Sequence, residues 1–355
     1  MIVYLMVIAL IILFSNKIEK QVIYINGYRK YSSIGNAQVM LCALVLIFVS
    51  GFRWNVGTDF SSYISVYYRL KETWWEALVA FDEPGTAVLS KVCSEIYDSP
   101  ITFFLLSAFV TVSLYILTIK KYSNIFQMGV LLFVFIGSWH GSFNAMRQYM
   151  AAAIIFAGHR YIYEKKLKKY ILIVAVASCF HITALVMLPI YFLVNKKISL
   201  KSISIVAGMV VVIRYSYDFL FAIMSFVKEN DQTQYAYMLR EVNATRILVA
   251  FAPLLIAFIA KNTKEMQDSE TQFYVMLLIV NAGFMFGTSG SAYLARIGIY
   301  TECYGALALP RLINCFKNNS KRLIYILILG LYFAFWLYEL NARRLLDFRW
   351  SFGRF

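Results

Sequence analysis

Residues 37–63 read AQVMLCALVLIFVSGFRWNVGTDFSSY, and the organisation of the chain follows from this stretch. Its first part, residues 37–52, is almost entirely apolar, and Arg53 follows directly. An apolar run of this length can enter a membrane, so the segment from Arg53 to Tyr63 would lie where a helix leaves the bilayer. Polar and ionisable groups at membrane depth are functional hypotheses by default. The stretch therefore predicts either a binding or catalytic loop, or an ordinary turn whose charges face water.

The amino-acid composition indicates that the whole chain is a membrane protein. Hydrophobic residues make up 61% of the 355 residues and charged residues 15%, whereas a soluble domain has about 45–50% apolar and about 25% charged residues. The apolar runs are too long and too continuous for the strands of a barrel. The sequence therefore predicts an all-α integral membrane protein, a polytopic helical bundle that forms one domain over residues 1–340. A basic, aromatic tail follows over residues 341–355.

Twelve apolar segments are predicted to be membrane segments, and several are shorter than the roughly 20 residues of a complete crossing. They are residues 1–15, 35–52, 100–119, 125–140, 147–163, 169–180, 182–195, 202–213, 246–260, 270–287, 296–312 and 322–339. The first has no charged region before it and no cleavage site, which is typical of a retained span. Residues 169–195 could form one tilted helix or two short helices that are broken near Phe180 to Thr183.

The lysine clusters favour the broken pair. With a break there, every lysine cluster falls on one side, which the positive-inside rule makes cytoplasmic. Both termini then lie outside, although the arginines of the tail do not fit this rule. The two long outer loops, residues 53–99 and 214–245, are expected to carry amphipathic helices on the membrane surface.

Arginine and lysine divide between the two predicted sides. The inner side has 16 lysines and 4 arginines, and the outer side has 3 lysines and 11 arginines. Because arginine binds phosphate groups through two parallel hydrogen bonds, the outer arginines predict an anion-binding set. The alternative is that they pair with outer acids such as Asp82, Glu83, Asp98 and Glu241.

Four places on the predicted outer side combine ionisable or amide groups with short polar turns. They are Arg53 to Tyr63, His140 to Gln148, Phe180 to Thr183, and Thr288 to Arg296 with the helix that follows. Helical spacing would put Asn144 with Arg147, and Arg296 with Tyr300, on shared faces. Glu302 lies in an apolar run and needs a partner from another helix. No metal-ligand spacing or disulfide framework is visible, so no metal is predicted.

At these residues the chain resembles the EpsG-like family of Wzy-type polysaccharide polymerases. The resemblance rests on Arg53-x-x-x-Gly57-x-Asp59-x-x-x-Tyr63, on Asn144-x-x-Arg147-Gln148, on Phe180-His181-x-Thr183-Ala184 ahead of Pro189-Ile190-Tyr191, and on Arg296 at the start of a late helix. It covers about residues 1–340 and implies a GT-C-like, metal-independent and cofactor-free glycosyltransferase. The resemblance also implies a multi-pass protein of the bacterial inner membrane whose active site faces the periplasm.

The implied reaction transfers a growing glycan from undecaprenyl pyrophosphate to a lipid-linked repeat unit, in an O-antigen, lipopolysaccharide, capsule or exopolysaccharide pathway. The implied partners are the undecaprenyl-pyrophosphate-linked oligosaccharide, membrane lipid and a chain-length regulator protein, with no nucleic acid. Two alternatives stay open on the residues alone. One is a flippase or exporter of the same lipid-linked oligosaccharide, although the internal repeats frequent in transporters are absent. The other is an O-antigen ligase-like glycosyltransferase.

The reaction assigns roles to the polar residues. Without a metal, arginines must stabilise the leaving pyrophosphate, and a carboxylate or a histidine must accept the proton of the acceptor hydroxyl. Asp59 is the first choice for this base and His181 the second. Asp59 is expected to fold back beside the Arg53 cation, and a purely structural pairing with Arg53 or Arg147 is the alternative. The residues assigned to substrate and pyrophosphate binding are Arg53, Tyr63, Asn144, Arg147, Gln148, Arg296 and Tyr300.

The topology can be tested at the broken pair. Glu164 and Ser199 lie in the two lysine-rich connections on either side of residues 169–195, and both should be cytoplasmic because of the positive-inside rule. Single cysteines at these two positions should be labelled from the same, cytoplasmic side by a membrane-impermeant reagent. Labelling from opposite sides would exclude the broken pair.

Overall fold

The computed structural model describes residues 1–15, 19–25, 28–74, 82–194, 197–216, 240–343 and 345–354. Helices dominate, as the sequence predicts, and each of the twelve apolar segments contains helix. The helices in chain order are α1 Ile2–Ser15, α2 Asn36–Gly51, α3 Phe60–Lys71, α4 Pro84–Ile96, α5 Pro100–Tyr122, α6 Phe126–Phe135, α7 Ser138–Gly141, α8 Met146–Gly158, α9 Arg160–Tyr163, α10 Leu167–Ser178, α11 Met187–Val194, α12 Leu200–Tyr215, α13 Ala244–Ile259, α14 Ser269–Gly287, α15 Ile299–Glu302, α16 Gly305–Ile313 and α17 Asn318–Ala342. Most of the predicted outer loop 214–245 lies outside the described residues.

One β-hairpin corrects the all-α prediction. Strands β1 Glu19–Ile25 and β2 Tyr28–Ile34 pair antiparallel between α1 and α2. The run Val22-Ile23-Tyr24-Ile25 contains only β-branched and aromatic residues, which favour strands. Asn-Gly follows it in the sequence and is the strongest short-range signal for a hairpin. These local features explain the hairpin, which was not predicted from the sequence.

The centre of the bundle is built from short helices. Nine of the ten residues of α6 are buried, and so are all nine residues of α16, which packs against α6. At about 1.5 Å per residue, α6 is roughly 15 Å long, half the thickness of a bilayer core. Longer helices surround this pair: α5 packs between α2 and α8, and α14 packs between α12 and α13. The short central helices are protected from lipid by these neighbours.

The outer helices expose large apolar side chains, as a lipid-facing surface does. Two described helices, α5 and α17, are long and apolar enough to cross a membrane by length and composition, and five shorter ones are also strongly apolar. Most of the α17 surface is exposed, including Leu323, Leu327 and Leu331. These apolar helices fit a membrane protein. That twelve segments enter the membrane stays a prediction.

Several predicted segments are interrupted. Segment 169–195 is broken as expected, because α10 ends at Ser178 and a 3₁₀ turn, Ile182–Val186, precedes α11. Segment 296–312 comprises a 3₁₀ turn at Leu294–Gly298 followed by α15 and α16. Arg296 and Tyr300 therefore do not share the face of one continuous helix, as the spacing suggested. Asn144 also precedes α8, so it does not share a helix face with Arg147.

A buried charge cluster joins α9, α14 and α16 near the lysine-rich connections. Glu270 accepts a hydrogen bond from Arg160 and forms an ion pair with Arg311 at 3.0 Å. All three side chains are almost fully buried. Because an unpaired buried charge is costly, this cluster ties α9, α14 and α16 together where their charges compensate one another.

The C-terminal tail returns to the first helices. The amide of Trp54 donates to the carbonyl of Arg349 at 2.8 Å, and the amide of Ser351 donates to the carbonyl of Phe52 at 2.9 Å. The N-terminal ammonium of Met1 donates to the Leu346 carbonyl at 2.5 Å. The tail thus forms a short antiparallel pairing with residues 52–54, and it fastens the end of α2.

The turn after Arg53 docks on the turn before α8. The amide of Thr58 donates to Oδ1 of Asn144 at 2.7 Å, and the Tyr63 hydroxyl donates to the Asn144 carbonyl at 2.9 Å. Gly57, at φ +102°, lies so close that an added Cβ would be 2.6 Å from Oδ1 of Asn144 and 2.8 Å from the carbonyl oxygen of Phe143. The glycine is therefore required both by its backbone conformation and by this contact.

Gly57→Ala should destabilise the protein by about 1–3 kcal/mol, because alanine is strained at positive φ and its Cβ would push the two turns apart. Gly330→Ala is the matched control, since Gly330 lies inside α17 with nothing within 4 Å of the added Cβ. The control should be neutral or slightly stabilising. Thermal unfolding of both variants in detergent measures the difference, and equal melting temperatures would contradict the docking.

Candidate active site

The carboxylate of Glu83 lies between a cation and an imidazole. One oxygen, Oε2, accepts a hydrogen bond from Arg147 Nη1, and the other, Oε1, is 3.3 Å from Nδ1 of His181. The Glu83 side chain is 12% exposed, His181 24% and Arg147 40%. The Glu83 carboxylate is thus more buried than His181 and Arg147, and both of these partners are partly exposed.

Backbone contacts bring Glu83 to His181. Helix α4 begins at Pro84, where the missing amide is not needed. The amide of Gly85 donates to the carbonyl of Cys179 at 2.8 Å, and the Thr86 hydroxyl donates to the carbonyl of Phe180 at 3.3 Å. The start of α4 is therefore fastened to the break after α10, which places the residue before Pro84 beside His181.

A chain of hydroxyl and amide groups continues from His181. Oγ1 of Thr183 is 3.4 Å from Nδ1 of His181 and 2.8 Å from the hydroxyl of Tyr300. Nε2 of Gln148 lies 3.5 Å from the same Thr183 oxygen and donates to the Arg296 carbonyl at 2.9 Å. The structure thus brings His181, Gln148, Tyr300 and the Arg296 backbone together with Arg147.

The cluster keeps His181 neutral. Burial, reinforced by the positive charges of Arg147 and Arg296, lowers the pKa of His181 from 6.5 to about 4. Burial also raises the pKa of Glu83, while the Arg147 guanidinium opposes that rise. A neutral imidazole whose Nδ1 hydrogen points to Glu83 has Nε2 as a proton acceptor. Such an arrangement can act as a general base.

Asp59 takes a different position from the one expected. It is half-buried at the start of α3, and its carboxylate accepts a hydrogen bond from the Thr58 hydroxyl at 3.1 Å. The expectation that the loop sets Asp59 beside the Arg53 cation is wrong, since no described acidic residue forms an ion pair with Arg53. Near Asp59, the hydrogen bonds of Tyr63 and Asn144 hold the docked turn in place. A catalytic role for Asp59 stays a prediction.

Arg53 is separate from this cluster. Its side chain is 2% exposed and lies between the rings of Phe104 and Phe143, at 4.7 Å and 4.9 Å from their centroids. Nη1 donates to the carbonyl of Ser50 at the end of α2. Burial lowers the pKa of Arg53 to about 10, so the side chain is still charged at pH 7. A pyrophosphate cannot reach it in this arrangement, and that predicted role would require the aromatic cover to open.

A second polar cluster surrounds Glu302. Its Oε1 accepts hydrogen bonds from Ser138 and Tyr149, each at 2.9 Å, so the predicted partners do come from other helices. Nearby, Arg246 donates two hydrogen bonds to Glu339, at 2.9 and 2.8 Å. Arg343 donates to the same carboxylate at 2.9 Å.

Glu83 is the residue of the candidate site that the sequence identifies least well. The sequence offers Glu83 only as one of several acids that could pair with arginines of the predicted outer side, and in the structure it pairs with Arg147. The motif Glu83-Pro84-Gly85 gave a signal, because Pro at the first helical position marks a helix start in the outer loop. Nothing in the sequence, however, indicated that His181 would share this acid.

The chain is a helical protein of the membrane type with a partly buried carboxylate–imidazole pair flanked by arginines. Among the residues that the structure describes, no group of three or more His, Cys, Asp or Glu side chains could hold a metal ion. The sequence model of the EpsG family matches residues 36–347, and the chain belongs to that family. EpsG-like proteins are similar to Wzy-type polymerases. No curated protein and no solved structure matches the chain.

The protonation state of His181 predicts a pH dependence of stability. Between pH 6.5 and about 4 the unfolded chain binds a proton at this histidine that the folded protein does not. The contribution of His181 is therefore complete above pH 6.5 and is lost as the pH falls towards about 4. The melting temperature of the wild type should fall more between about pH 7.5 and about pH 5 than that of His181→Gln.

Asp98→Asn serves as the control for this measurement. Hydrogen bonds from Lys71 and Tyr67 lower the pKa of Asp98, so this acid titrates below the window. The control should therefore keep the wild-type pH slope. An unchanged slope in His181→Gln would show that the folded protein binds a proton at His181 as readily as the unfolded chain does.

Proposed function

We propose that the protein is a polysaccharide polymerase that transfers a growing glycan from undecaprenyl pyrophosphate to a lipid-linked repeat unit. Membership of the EpsG family supports a polymerase-like glycosyltransferase. The observation that carries the proposal within this chain is the cluster of Glu83, His181 and Arg147. It combines a proton acceptor with a cation at the surface of one small region, and glycosyl transfer from a pyrophosphate donor needs both.

His181 is the base in this proposal. Its Nε2 accepts the proton of the acceptor hydroxyl, while that oxygen forms a bond to the anomeric carbon of the donor. The bond from this carbon to the pyrophosphate oxygen breaks, and undecaprenyl pyrophosphate leaves with the electron pair. Glu83, at 3.3 Å from Nδ1, orients the imidazole and stabilises the imidazolium that forms.

Arg147 and Arg296 supply positive charge for the leaving group. Arg147 pairs with Glu83, and the Arg296 carbonyl accepts a hydrogen bond from Gln148. The positive charges of both arginines lower the pKa of His181. Arg147 is also the most exposed member of the cluster, which keeps part of its guanidinium available to a phosphate oxygen. Its ion pair with Glu83 fixes the side chain in advance, which reduces the reorganisation needed in the transition state. Gln148 and Tyr300 are almost fully buried beside the cluster. Through their hydrogen bonds to the Arg296 carbonyl and to Thr183, they would position the region that the sugar contacts.

The cluster also supports an outer location for the site. Its residues come from loop 53–99, from the start of α8, from the break after α10 and from the 3₁₀ turn before α15. The sequence predicts all four on the outer side, and they lie together. We therefore place the active site on the periplasmic face of the inner membrane, where a chain-length regulator could also bind. A flippase would not need a base beside the arginines.

Complementation of a deletion strain tests this assignment. Loss of the gene should collapse the ladder of surface glycan to single repeat units, whereas loss of all surface units would indicate a flippase or a ligase. His181→Gln should lower the rate of polymerisation by about 10²–10⁴, because it removes the base without removing bulk. Glu83→Gln should show a smaller loss, since the imidazole is kept but no longer oriented.

Asp59→Asn and Asp98→Asn complete the experiment. Asp98 belongs to the same outer loop but pairs with Lys71 and Tyr67, away from the cluster. Its variant should complement fully at equal protein levels. If Asp59→Asn were inactive and well folded while His181→Gln retained activity, the base would be Asp59 and the proposed role of His181 would be wrong.

A further inference from the structure

The buried guanidinium of Arg53 has donors that the described protein residues do not use. Nη1 donates to the Ser50 carbonyl, but Nε and Nη2 have no hydrogen-bond partner among the described residues. The side chain is 2% exposed, so bulk water does not solvate these groups. Unsatisfied buried donors are rare, because burial of a donor without a partner is unfavourable. A ligand that accepts hydrogen bonds would remove this cost.

The Arg53 guanidinium borders a small cavity between α2, α5 and the turn before α8. Two hydroxyls of α5 also line it, those of Ser107 and Thr111, and neither has a partner within the described part of the chain. The other lining residues are Ser50, Phe104, Ala108, Ser142 and Met146. The cavity volume is about 10 Å³, which suits a single species of about the size of a water molecule.

The charge of Arg53 is compensated only in part. The rings of Phe104 and Phe143 offer their negative faces, and the C-terminal end of α2 adds a partial negative charge. No described carboxylate pairs with the guanidinium. A buried charge without a counter-charge is strongly unfavourable. An anion in this cavity would neutralise the guanidinium, and the positive charge of the guanidinium would in turn stabilise the anion.

We propose that this cavity is a halide site, with chloride as the physiological ion. Its donors are Nε and Nη2 of Arg53 and the hydroxyls of Ser107 and Thr111. All four groups can donate hydrogen bonds. A monatomic anion accepts hydrogen bonds from every direction, and it has no hydrogen of its own that would need an acceptor. A phosphate is too large for the cavity, and a cation would be repelled by the guanidinium. A water molecule would fit but would not neutralise the charge.

The ion would have a structural role that is separate from the proposed transfer reaction. It would join the end of α2 to α5, a few residues before the turn that carries Gly57 and Thr58. Binding to the folded protein alone raises stability as the concentration of the ligand rises. The prediction therefore concerns unfolding and does not depend on the substrate or the reaction.

Thermal unfolding of the purified full-length protein in detergent tests the site. The buffer is varied from sodium gluconate to sodium chloride at constant ionic strength, so that general screening is unchanged. The melting temperature should rise by about 2 °C or more and should reach a plateau as the site fills. Bromide should replace chloride, and an anomalous signal from bromide should appear beside the Arg53 guanidinium in crystals.

Three variants separate specific binding from a general salt effect. Arg53→Met removes the charge and should abolish the chloride response. The double variant Ser107→Ala, Thr111→Val removes two donors with little change in packing, and should raise the half-saturating chloride concentration several-fold. Arg349→Met is the control, because Arg349 is an exposed arginine that pairs with Asp347, and its response should equal that of the wild type.

Equal melting temperatures in chloride and gluconate would overturn the proposal and indicate water in the cavity. A chloride response that persists in Arg53→Met would overturn it as well. If Arg53→Met does not fold, the double hydroxyl variant decides, since an unchanged half-saturating concentration there would exclude binding in this cavity.

Discussion

A single carboxylate, that of Glu83, joins the parts of the candidate active site. It binds Arg147 from α8 and His181 from the break after α10, and it can do so only because α4 is fastened to that break by backbone hydrogen bonds. The break exposes backbone groups that an unbroken helix would have used itself. The same interruption therefore supplies the imidazole and the attachment point for the acid that orients it.

The same constraint recurs elsewhere in the molecule. Glu83, Glu270 and Glu339 are enclosed carboxylates that each pair with two basic side chains, and none of these acids has its partners on one helix alone. The groups are Glu83 with Arg147 and His181, Glu270 with Arg160 and Arg311, and Glu339 with Arg246 and Arg343. Since a buried charge is tolerated only with close compensation, these groups fix how the short helices lie against one another. In each group the positive charge of the arginines equals or exceeds the negative charge of the carboxylate.

The sequence predicted the features that depend on local patterns. Apolar runs located the helices, the lysine clusters predicted the break near residues 180–183, and the cost of Glu302 in an apolar segment predicted partners from other helices. The features it did not predict depend on which distant segments meet. Arg53 was expected to face the outside because it follows a membrane segment, but the rings of Phe104 and Phe143, remote in sequence, cover it. Glu83 and His181 are likewise 98 positions apart, and spacing carries no information at that range.

The pairing of the tail with residues 52–54 bears on how the protein is made. The first helices enter the membrane while the ribosome is still translating, yet Trp350, the bridge partner of Arg53, is synthesised 297 positions after it. The segment that follows α2 must therefore stay incompletely paired until residues 349–351 have left the ribosome. Maturation of this protein thus includes a late step in which residues 349–351 join the segment that follows α2.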